Sequence, residues 1–253
     1  MVPSPSPAAA AAPTGPNGEK LVESSSETRF QLDLQVPEGA LAAYLPSGWT
    51  SNVATTGAAK DADLRAVFID RVTVNGPNGA PVGTTGTNRL VYLVAPVKDP
   101  TGATVQLVIG GITEDPADVP GPFGNYLKAT TRTMERTTAS NGEGPIMDSQ
   151  DWDFEAAGGE HLELHVKYER GNASKGPVSD TRFYSARNPT FYQLSRQDQV
   201  LDILRNVTTT PPDRVHDFSF TASGGSYAAL FDGTQKVLSW DNILWINRQV
   251  FQP

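Results

Sequence analysis

The sequence predicts an α+β protein that is mainly antiparallel β, a curved sheet that closes into a barrel or cone with a few short helices. Three observations support this: many short apolar segments, Gly- and Pro-rich turns between them, and few segments with helical periodicity. The 23 glycines and 20 prolines supply turn-forming residues along the whole chain. Closure of the sheet is expected because it removes exposed strand edges.

The first ordered elements are expected from about Phe30. Residues 29–36 (RFQLDLQV) alternate apolar and polar side chains, which predicts a half-buried strand. Residues 37–49 predict a short helical turn, because Pro37 can begin such a turn and Pro46 ends it.

A pair of hairpins is predicted next. Residues 64–74 are rich in β-branched side chains and residues 89–97 are almost continuously apolar, so both predict strands. The segment 75–86 (NGPNGAPVGTTG) between them predicts a hairpin loop. The turn DPTG at 99–102 then leads into a further strand at 103–112.

The second half of the chain predicts more strands and one helix. Residues 125–138 are rich in Thr and predict a strand, and residues 147–171 predict a hairpin around Gly158 and Gly159. Residues 179–207 begin as a strand. They are expected to end in a helix in which three apolar residues share a face: Val200, Leu201 and Leu204.

Composition narrows the function classes. The formal net charge is −8, which argues against a broad nucleic-acid-binding surface, because neutralising phosphate requires an excess of Lys and Arg. No apolar run approaches the length of a transmembrane helix. The chain has no cysteine, so thiolate zinc sites, cysteine nucleophiles and disulfides are excluded. We expect a small-molecule substrate as the partner, with no nucleic acid and no membrane.

The N-terminal segment differs from the rest of the chain. Residues 1–28 are dominated by Pro, Ala and Ser, which predicts a disordered arm followed by one domain over residues 29–253. The arm lacks the basic start and apolar core of a signal peptide. It is similar to the low-complexity segment that often follows a cleaved signal, which predicts a periplasmic or secreted protein. The alternative is a cytoplasmic protein with a disordered tail.

Motifs for cofactors and metals are weak. The Gly-rich segment at 75–86 lies between strands rather than before a helix, so it does not predict a phosphate-binding loop. His161, Glu163 and His165 alternate on one predicted strand face, and such side chains suit zinc or iron. The two histidines would lie roughly 13 Å apart along a strand, too far to share one ion. We therefore expect a solvated polar face, with no metal and no cofactor.

The order of several motifs resembles the acetoacetate decarboxylase-like superfamily. The segment LQVPEGALAAYLPSGW at 34–49 is similar to the family's early strand and turn, and LRAVFIDRVTVNG at 64–76 to its next strand. RLVYLVAPVKDPTGATVQLVIGGITED at 89–115 is similar to the hydrophobic hairpin that leads into the active-site loop. GPFGNYLKATTRTMERTT at 121–138 falls where the family has Gly-x-Pro-Lys-Lys followed by a strand. The resemblance runs through much of residues 32–253.

This resemblance implies a lyase-like enzyme in which a lysine forms a Schiff base with a β-keto acid. The iminium accepts electrons as carbon dioxide leaves, and an adjacent lysine helps to keep the nucleophile neutral. A free lysine has a pKa of about 10.4 and is less than ~0.1% neutral at pH 7, so its pKa must be lowered by several units. The resemblance points to Lys128 as the catalytic lysine. The family also tends to assemble, which suggests a homo-oligomer.

The chain departs from the family pattern at the lysine pair. Aligned from Gly124 without a gap, Leu127 takes the position of the catalytic lysine and Lys128 that of the second lysine. A shift of one residue on a strand turns the side chain to the opposite face. If Lys128 points inward, imine chemistry of the decarboxylation, aldol or dehydration type follows. If it points outward, acid–base chemistry and substrate binding must come from other groups: Arg89, Tyr92, Glu114, Arg132 and His165.

Two functions stay open on the sequence alone. The first is a small-molecule enzyme of the acetoacetate decarboxylase-like type that acts on a carbonyl or keto-acid compound in a barrel pocket. The second is an exported, non-catalytic ligand-binding β-barrel, which the apolar strands, acidic charge and lack of cysteine fit equally well. A buried charged side chain with a shifted pKa would favour the enzyme, and a uniformly apolar cavity would favour the binding protein.

Overall fold

The computed structural model describes residues 13–83, 85–114, 116, 123–206 and 214–253. Two short 3₁₀ helices lie in these ranges, Ala40–Tyr44 and Gly225–Tyr227. No helix in the described ranges is long and apolar enough to cross a membrane. The strands, in chain order, are β1 (Lys20–Gln35), β2 (Thr50–Ser51), β3 (Leu64–Asn75), β4 (Asn88–Lys98), β5 (Thr104–Thr113), β6 (Tyr126–Ala139), β7 (Met147–Ala156), β8 (His161–Glu169), β9 (Ser174–Lys175), β10 (Ser179–Ser185), β11 (Tyr192–Arg205), β12 (Val215–Ser223) and β13 (Lys236–Gln252).

Seven of these strands pair into a closed ring. The order around the ring is β1, β3, β4, β5, β10, β11 and β13, and β13 pairs in turn with β1. All pairings in the ring are antiparallel except that of β5 with β10. The predicted fold class, a mainly antiparallel curved sheet with few helices, is confirmed.

Four further strands cover the outer face of the ring. Their order is β12, β8, β7 and β6, and β6 joins the ring through a parallel pairing with β5. A large apolar cluster lies between the two layers, and within it the ring of Phe68 on β3 lies 5.9 Å from Trp152 and 6.1 Å from Phe154 on β7. Burial of each such aromatic side chain contributes roughly 1.5–3 kcal/mol. This cluster is the main core.

Strand alternation gives the ring a second, inward face. On β3, Ala66 and Phe68 belong to the main core, whereas Val67 and Ile69 belong to a smaller cluster on the opposite face. Successive side chains of a strand point to opposite sides of the sheet, so the smaller cluster lies inside the ring. The ring interior is therefore a separate compartment from the main core.

The hairpins predicted from turn chemistry are confirmed. Residues 75–86 connect the antiparallel strands β3 and β4, and residues 99–102 connect β4 and β5. Gly158 and Gly159 lie in the turn between β7 and β8. The helical turn predicted within residues 37–49 is the first 3₁₀ helix.

Ordered structure begins earlier than the sequence predicted. Strand β1 starts at Lys20 rather than near Phe30, and its polar first half pairs with β13 and, from Ser24, with β3. Backbone pairing on both edges and ion pairs of Glu23 and Glu27 hold this half, whereas the prediction weighed apolar content only. Residues 1–12 of the predicted arm lie outside the described residues, and the single domain stays a prediction.

The helix predicted at the end of residues 179–207 is wrong. Val200, Leu201 and Leu204 lie on β11, which runs to Arg205 and pairs with β10 and β13. The register shifts between Val200 and Leu201 and again between Ile203 and Arg205. The shifts break strict alternation and leave a pattern that looks helical, so tertiary pairing overrides the local signal.

Candidate functional site

A cavity of about 200 Å³ lies inside the ring. Each of the seven ring strands contributes at least one lining residue, which places the cavity on the ring's inward face. Charged and aromatic lining groups are Arg29, Arg65, Tyr92, Phe183 and Asp241. The other polar lining groups are four glutamines and a threonine: Gln31, Gln106, Thr181, Gln197 and Gln199. The remaining lining is apolar: Val94, Leu201 and Ile243.

Arg29 is held in place by its neighbour on the same strand face. Its Nε and Nη2 donate to one carboxylate oxygen of Glu27 at 2.8 and 2.6 Å. Its third nitrogen, Nη1, lies 3.4 Å from the hydroxyl oxygen of Tyr92 on β4. Both Arg29 and Glu27 are almost fully buried. The guanidinium is therefore fixed at the cavity wall, with one nitrogen directed away from Glu27.

Glu27 is the centre of a buried ion network. Arg71 and Arg248 approach it at 3.2 and 3.1 Å, and both also contact Glu23. Burial alone raises the pKa of Glu27, but Arg248, Arg29 and Arg71 together hold it well below its ordinary value. Three guanidiniums thus face two carboxylates. The network carries one excess positive charge beside the cavity.

Asp241 is the carboxylate of the cavity wall. It accepts hydrogen bonds from Gln31 Nε2 at 3.1 Å and from the Ser239 hydroxyl at 3.3 Å. Burial raises the pKa of Asp241 above its ordinary value, although the Gln31 hydrogen bond opposes the shift. The other cation of the wall, Arg65, is bound to Asp33 at 2.6 Å. Asp241 is therefore a carboxyl group that keeps its proton to a higher pH than an exposed aspartic acid does.

No lysine lines the cavity. The chain has seven lysines, all of them lie in the described residues, and all are exposed. Lys128 lies on the exposed side of β6, while its neighbour Leu127 packs against the main core. The geometry therefore corresponds to the outward arrangement, in which an imine on Lys128 would form outside the ring. Catalysis by Lys128 stays a prediction that the burial pattern does not favour.

Three of the predicted substrate-binding residues meet in a different place. They line a surface groove of about 330 Å³ next to strands β3 and β4. These three residues are Arg89, Glu114 and Arg132. Arg132 Nη1 lies 2.9 Å from a carboxylate oxygen of Glu114, and Arg89 Nε donates to Asp70 at 3.1 Å. These are surface ion pairs, which contribute roughly 0–1 kcal/mol each.

The other two predicted residues are far apart in the fold. Tyr92 lies inside the ring and lines the cavity. His165 lies on β8 in the covering layer, where its Nδ1 is 2.5 Å from Asp151 and its Nε2 is 3.4 Å from Asp217. The structure thus brings only Tyr92 to the ring cavity and leaves His165 on the outer surface.

The polar face predicted around His161, Glu163 and His165 is the outer face of the covering layer. Ligand atoms of Asp153, Glu155 and His161 lie within 4.8 Å of one another there. His161 Nε2 lies 2.9 Å from Asp153, and the Thr131 hydroxyl donates to Glu155 at 2.7 Å. The side chains of Asp153, Glu155 and His161 therefore have hydrogen-bond partners at the protein surface.

Sequence reasoning missed most of the cavity wall. Arg29 and Gln31 are polar positions of the alternating segment RFQLDLQV, which predicts a strand with its polar face toward solvent. Alternation gives the same pattern whether the polar face meets solvent or an internal cavity. Asp241 lies in the segment LSWDNILWIN, where nothing in the local sequence marks it as internal.

Comparisons with known proteins identify the fold. No protein-family model matches the chain, and no curated protein is significantly similar to it. The enduracididine biosynthesis enzyme MppR, complexed with the condensation product of pyruvate and imidazole 4-carboxaldehyde, aligns over 98% of this chain and 95% of its own, with 12% identity and a TM-score of 0.52. An acetoacetate decarboxylase-like enzyme from Sphingomonas wittichii RW1 aligns over 96% of this chain and 100% of its own, with 12% identity and a TM-score of 0.53. The acetoacetate decarboxylase-like fold implied by the motifs is confirmed, in a divergent chain.

Proposed function

We propose that this chain is a small-molecule enzyme that acts on a carbonyl or keto-acid compound in the ring cavity, through acid–base groups rather than a lysine imine. The observation that carries the proposal is a cavity lined by Arg29, Tyr92 and Asp241 in a protein whose lysines are all exposed. Charged groups held at fixed positions in a partly desolvated cavity are typical of catalytic sites.

The wall around Arg29 supports binding of a carboxylate or polarisation of a carbonyl. The ion network beneath it has one excess positive charge, so an anion is attracted into the cavity. Arg29 needs no reorganisation, because Glu27 already fixes two of its nitrogens. Pre-positioned charge of this kind stabilises the enolate-like oxygen that decarboxylation, aldol and dehydration steps share.

Asp241 supplies the proton chemistry in this proposal. When a carbon–carbon or carbon–hydrogen bond next to the carbonyl breaks, the electron pair stays on the substrate as an enolate. In its protonated form Asp241 would donate a proton to that enolate, and as a carboxylate it would remove one in the reverse sense. The raised pKa is the direction that a general acid near neutral pH requires.

Two further observations support an enzyme over a non-catalytic binding protein. The cavity is not uniformly apolar, and the pKa of its lining carboxyl group, Asp241, is raised. A protein of the same fold, MppR, binds a condensation product of pyruvate, so this fold can hold a keto-acid-derived ligand. Fold likeness alone does not fix the reaction, because one fold can carry different catalytic side chains.

The test is turnover of a panel of keto acids, followed by NMR, in the unmodified protein and in Asp241→Asn and Lys128→Ala. We expect Asp241→Asn to lower turnover by about 10²–10⁴-fold, the usual contribution of a general acid or base. Lys128→Ala should leave turnover unchanged. Asp180→Asn is a matched control, because Asp180 lies on ring strand β10 in a surface pair with Arg196.

Trapping with cyanoborohydride separates the two mechanisms. We expect no covalent adduct on any lysine after incubation with pyruvate or acetoacetate. An adduct that maps to Lys128 and disappears in Lys128→Ala would overturn the lysine-independent mechanism. A folded protein that neither turns over nor binds any member of the panel would overturn the proposed function itself.

A further inference from the structure

We infer that the ligand of the ring cavity is polyhydroxylated, that is, a sugar-derived keto acid rather than a short one such as pyruvate. The inference rests on the proposed function, because it names the substrate class of the same cavity. The inference is based on the amide and hydroxyl groups of the cavity wall. Several of these groups have no hydrogen-bond partner among the described residues, so they are available to a ligand.

Two of the wall glutamines have free amide groups. The side chains of Gln106 on β5 and Gln199 on β11 make no hydrogen bond to any residue that the structure describes, and the same is true of the Thr181 hydroxyl on β10. All three are only partly buried and line the cavity. Their donors and acceptors are therefore available to a bound molecule.

The other two glutamines keep an acceptor free. Gln31 uses its amide nitrogen to donate to Asp241 at 3.1 Å, and Gln197 uses its amide nitrogen to donate to Ser195 at 3.1 Å. Within the described part of the chain, neither amide oxygen accepts a side-chain hydrogen bond. The wall thus offers four amide oxygens as acceptors, together with the Asp241 carboxyl.

This inventory does not suit a short keto acid. The carboxylate and carbonyl oxygens of pyruvate or acetoacetate are acceptors only, so they can satisfy Arg29 and the amide nitrogens but none of the amide oxygens. A short ligand leaves these acceptors to water, whereas a ligand hydroxyl that reaches one of them contributes about 0.5–1.5 kcal/mol net. A hydroxyl group both donates and accepts hydrogen bonds, as a carboxamide does. Neighbouring hydroxyls on one ligand can therefore donate to the glutamine oxygens and accept from the glutamine nitrogens.

Cavity size and the apolar wall agree with this ligand class. The cavity holds roughly seven water molecules at about 30 Å³ each, more than a short keto acid displaces. Phe183 and Ile243 provide apolar surface on the same wall, against which the C–H face of a sugar-like chain can pack. One end of such a ligand would carry the carboxylate toward Arg29.

The test compares four named acids by isothermal titration calorimetry. Gluconate is hydroxylated without a keto group, 2-ketogluconate has both features, and pyruvate and acetoacetate have the keto group alone. We expect 2-ketogluconate to bind at least about tenfold more tightly than pyruvate, the effect of one or two extra hydrogen bonds. Gln106→Leu and Gln199→Leu should each weaken 2-ketogluconate about tenfold and leave pyruvate within about twofold.

Controls keep a folding defect apart from a binding defect. Gln249→Leu alters a glutamine of ring strand β13 that does not line this cavity, and it should bind all four acids as the unmodified protein does. Thermal melts of every variant establish that it is folded. If a Leu variant is unstable, Thr181→Val provides the same comparison with a smaller change.

The outcomes separate this inference from the proposed function. Pyruvate or acetoacetate binding as tightly as 2-ketogluconate would overturn the hydroxylated ligand and leave keto-acid chemistry standing. Equal binding of gluconate and 2-ketogluconate would support the hydroxylated ligand and remove the support for a keto group. Failure of all four acids to bind the folded protein would overturn the inference, and the glutamines would then bind water.

Discussion

The hydroxyl of Tyr227 binds both backbone polar groups of Gly111: it accepts from the Gly111 N–H at 2.7 Å and donates to the Gly111 carbonyl at 3.0 Å. Tyr227 belongs to the second 3₁₀ helix and Gly111 to ring strand β5, so one phenol attaches the helix to the ring. Both residues are buried. The contact lies at a point where the wall of the ring has no room for a side chain on β5.

Removal of this phenol should destabilise the protein. Tyr227→Phe leaves two buried backbone groups of Gly111 without their partner, which costs about 1–3 kcal/mol for such groups. Urea unfolding measures the difference. Tyr184→Phe is the control, because the Tyr184 hydroxyl makes no hydrogen bond to a described residue, and equal losses in the two variants would contradict the assigned role.

A methyl group at Gly111 should also be costly. A Cβ there would lie 2.5 Å from the carbonyl oxygen of Val91 and 2.6 Å from Cε1 of Tyr126. Because the first of these atoms is backbone, it cannot move aside cheaply, and we expect Gly111→Ala to cost about 1–3 kcal/mol. Gly176→Ala adds a Cβ with nothing within 4 Å and should leave the midpoint of urea unfolding almost unchanged. A Gly111→Ala protein as stable as Gly176→Ala would refute this.

Among these substitutions, we expect neutralisation of Glu27 to lower the free energy of unfolding the most. Glu27→Gln leaves Arg29, Arg71 and Arg248 buried with a single carboxylate, Glu23, between them. Removing one partner of a buried ion pair typically costs about 3–5 kcal/mol. Chemical denaturation measures the free energy of unfolding of Glu27→Gln and of the control Glu135→Gln. Glu135 is an exposed glutamate on β6. A loss below about 1 kcal/mol would show that solvent reaches the network.

His165 should make stability depend on pH. Its hydrogen bond to Asp151 raises the pKa of His165 above the ordinary value of 6.5, and Asp217 adds to the shift. A raised folded-state pKa means that the stabilisation is complete below the unfolded pKa and is lost as the pH rises through the folded pKa. The melting temperature of the unmodified protein should therefore exceed that of His165→Gln at about pH 5 and approach it above about pH 8.

The control for this pH profile is His216→Gln, since His216 is exposed on β12. Its melting temperature should follow that of the unmodified protein at every pH. A difference between the unmodified protein and His165→Gln that stays constant across the pH range would contradict the assigned ion pairs.

Local turn chemistry allowed much of the fold to be predicted. Residues 75–86 and the pair Gly158 and Gly159 are turn formers between strand-like segments, so each specifies a hairpin without any tertiary information. Strand β11 could not be predicted, because Val200 and Leu201 owe their position to pairings with β9 and β13, and two register shifts interrupt the alternation. Those contacts leave no local signal.

The site was harder to predict than the fold. The sequence motifs drew attention to Lys128 and to Arg132, which lie on one strand and could be compared with a family pattern. The cavity wall instead combines residues such as Gln31, Thr181 and Asp241 from strands across the whole chain. Which of them meet depends on ring closure, and only the three-dimensional arrangement reveals that polar positions on a strand face inward.

The position of β13 in the ring has a consequence for biosynthesis. The ring closes only when β13 inserts between β1 and β11, so closure waits until this strand has left the ribosome. Until then the nascent chain holds β1 with one open edge, which other chains could pair with. The polar stretch around Glu23 and Ser24 lies on that edge, and its charge and hydroxyl groups would protect the growing chain from premature association while the closing strand is still being made.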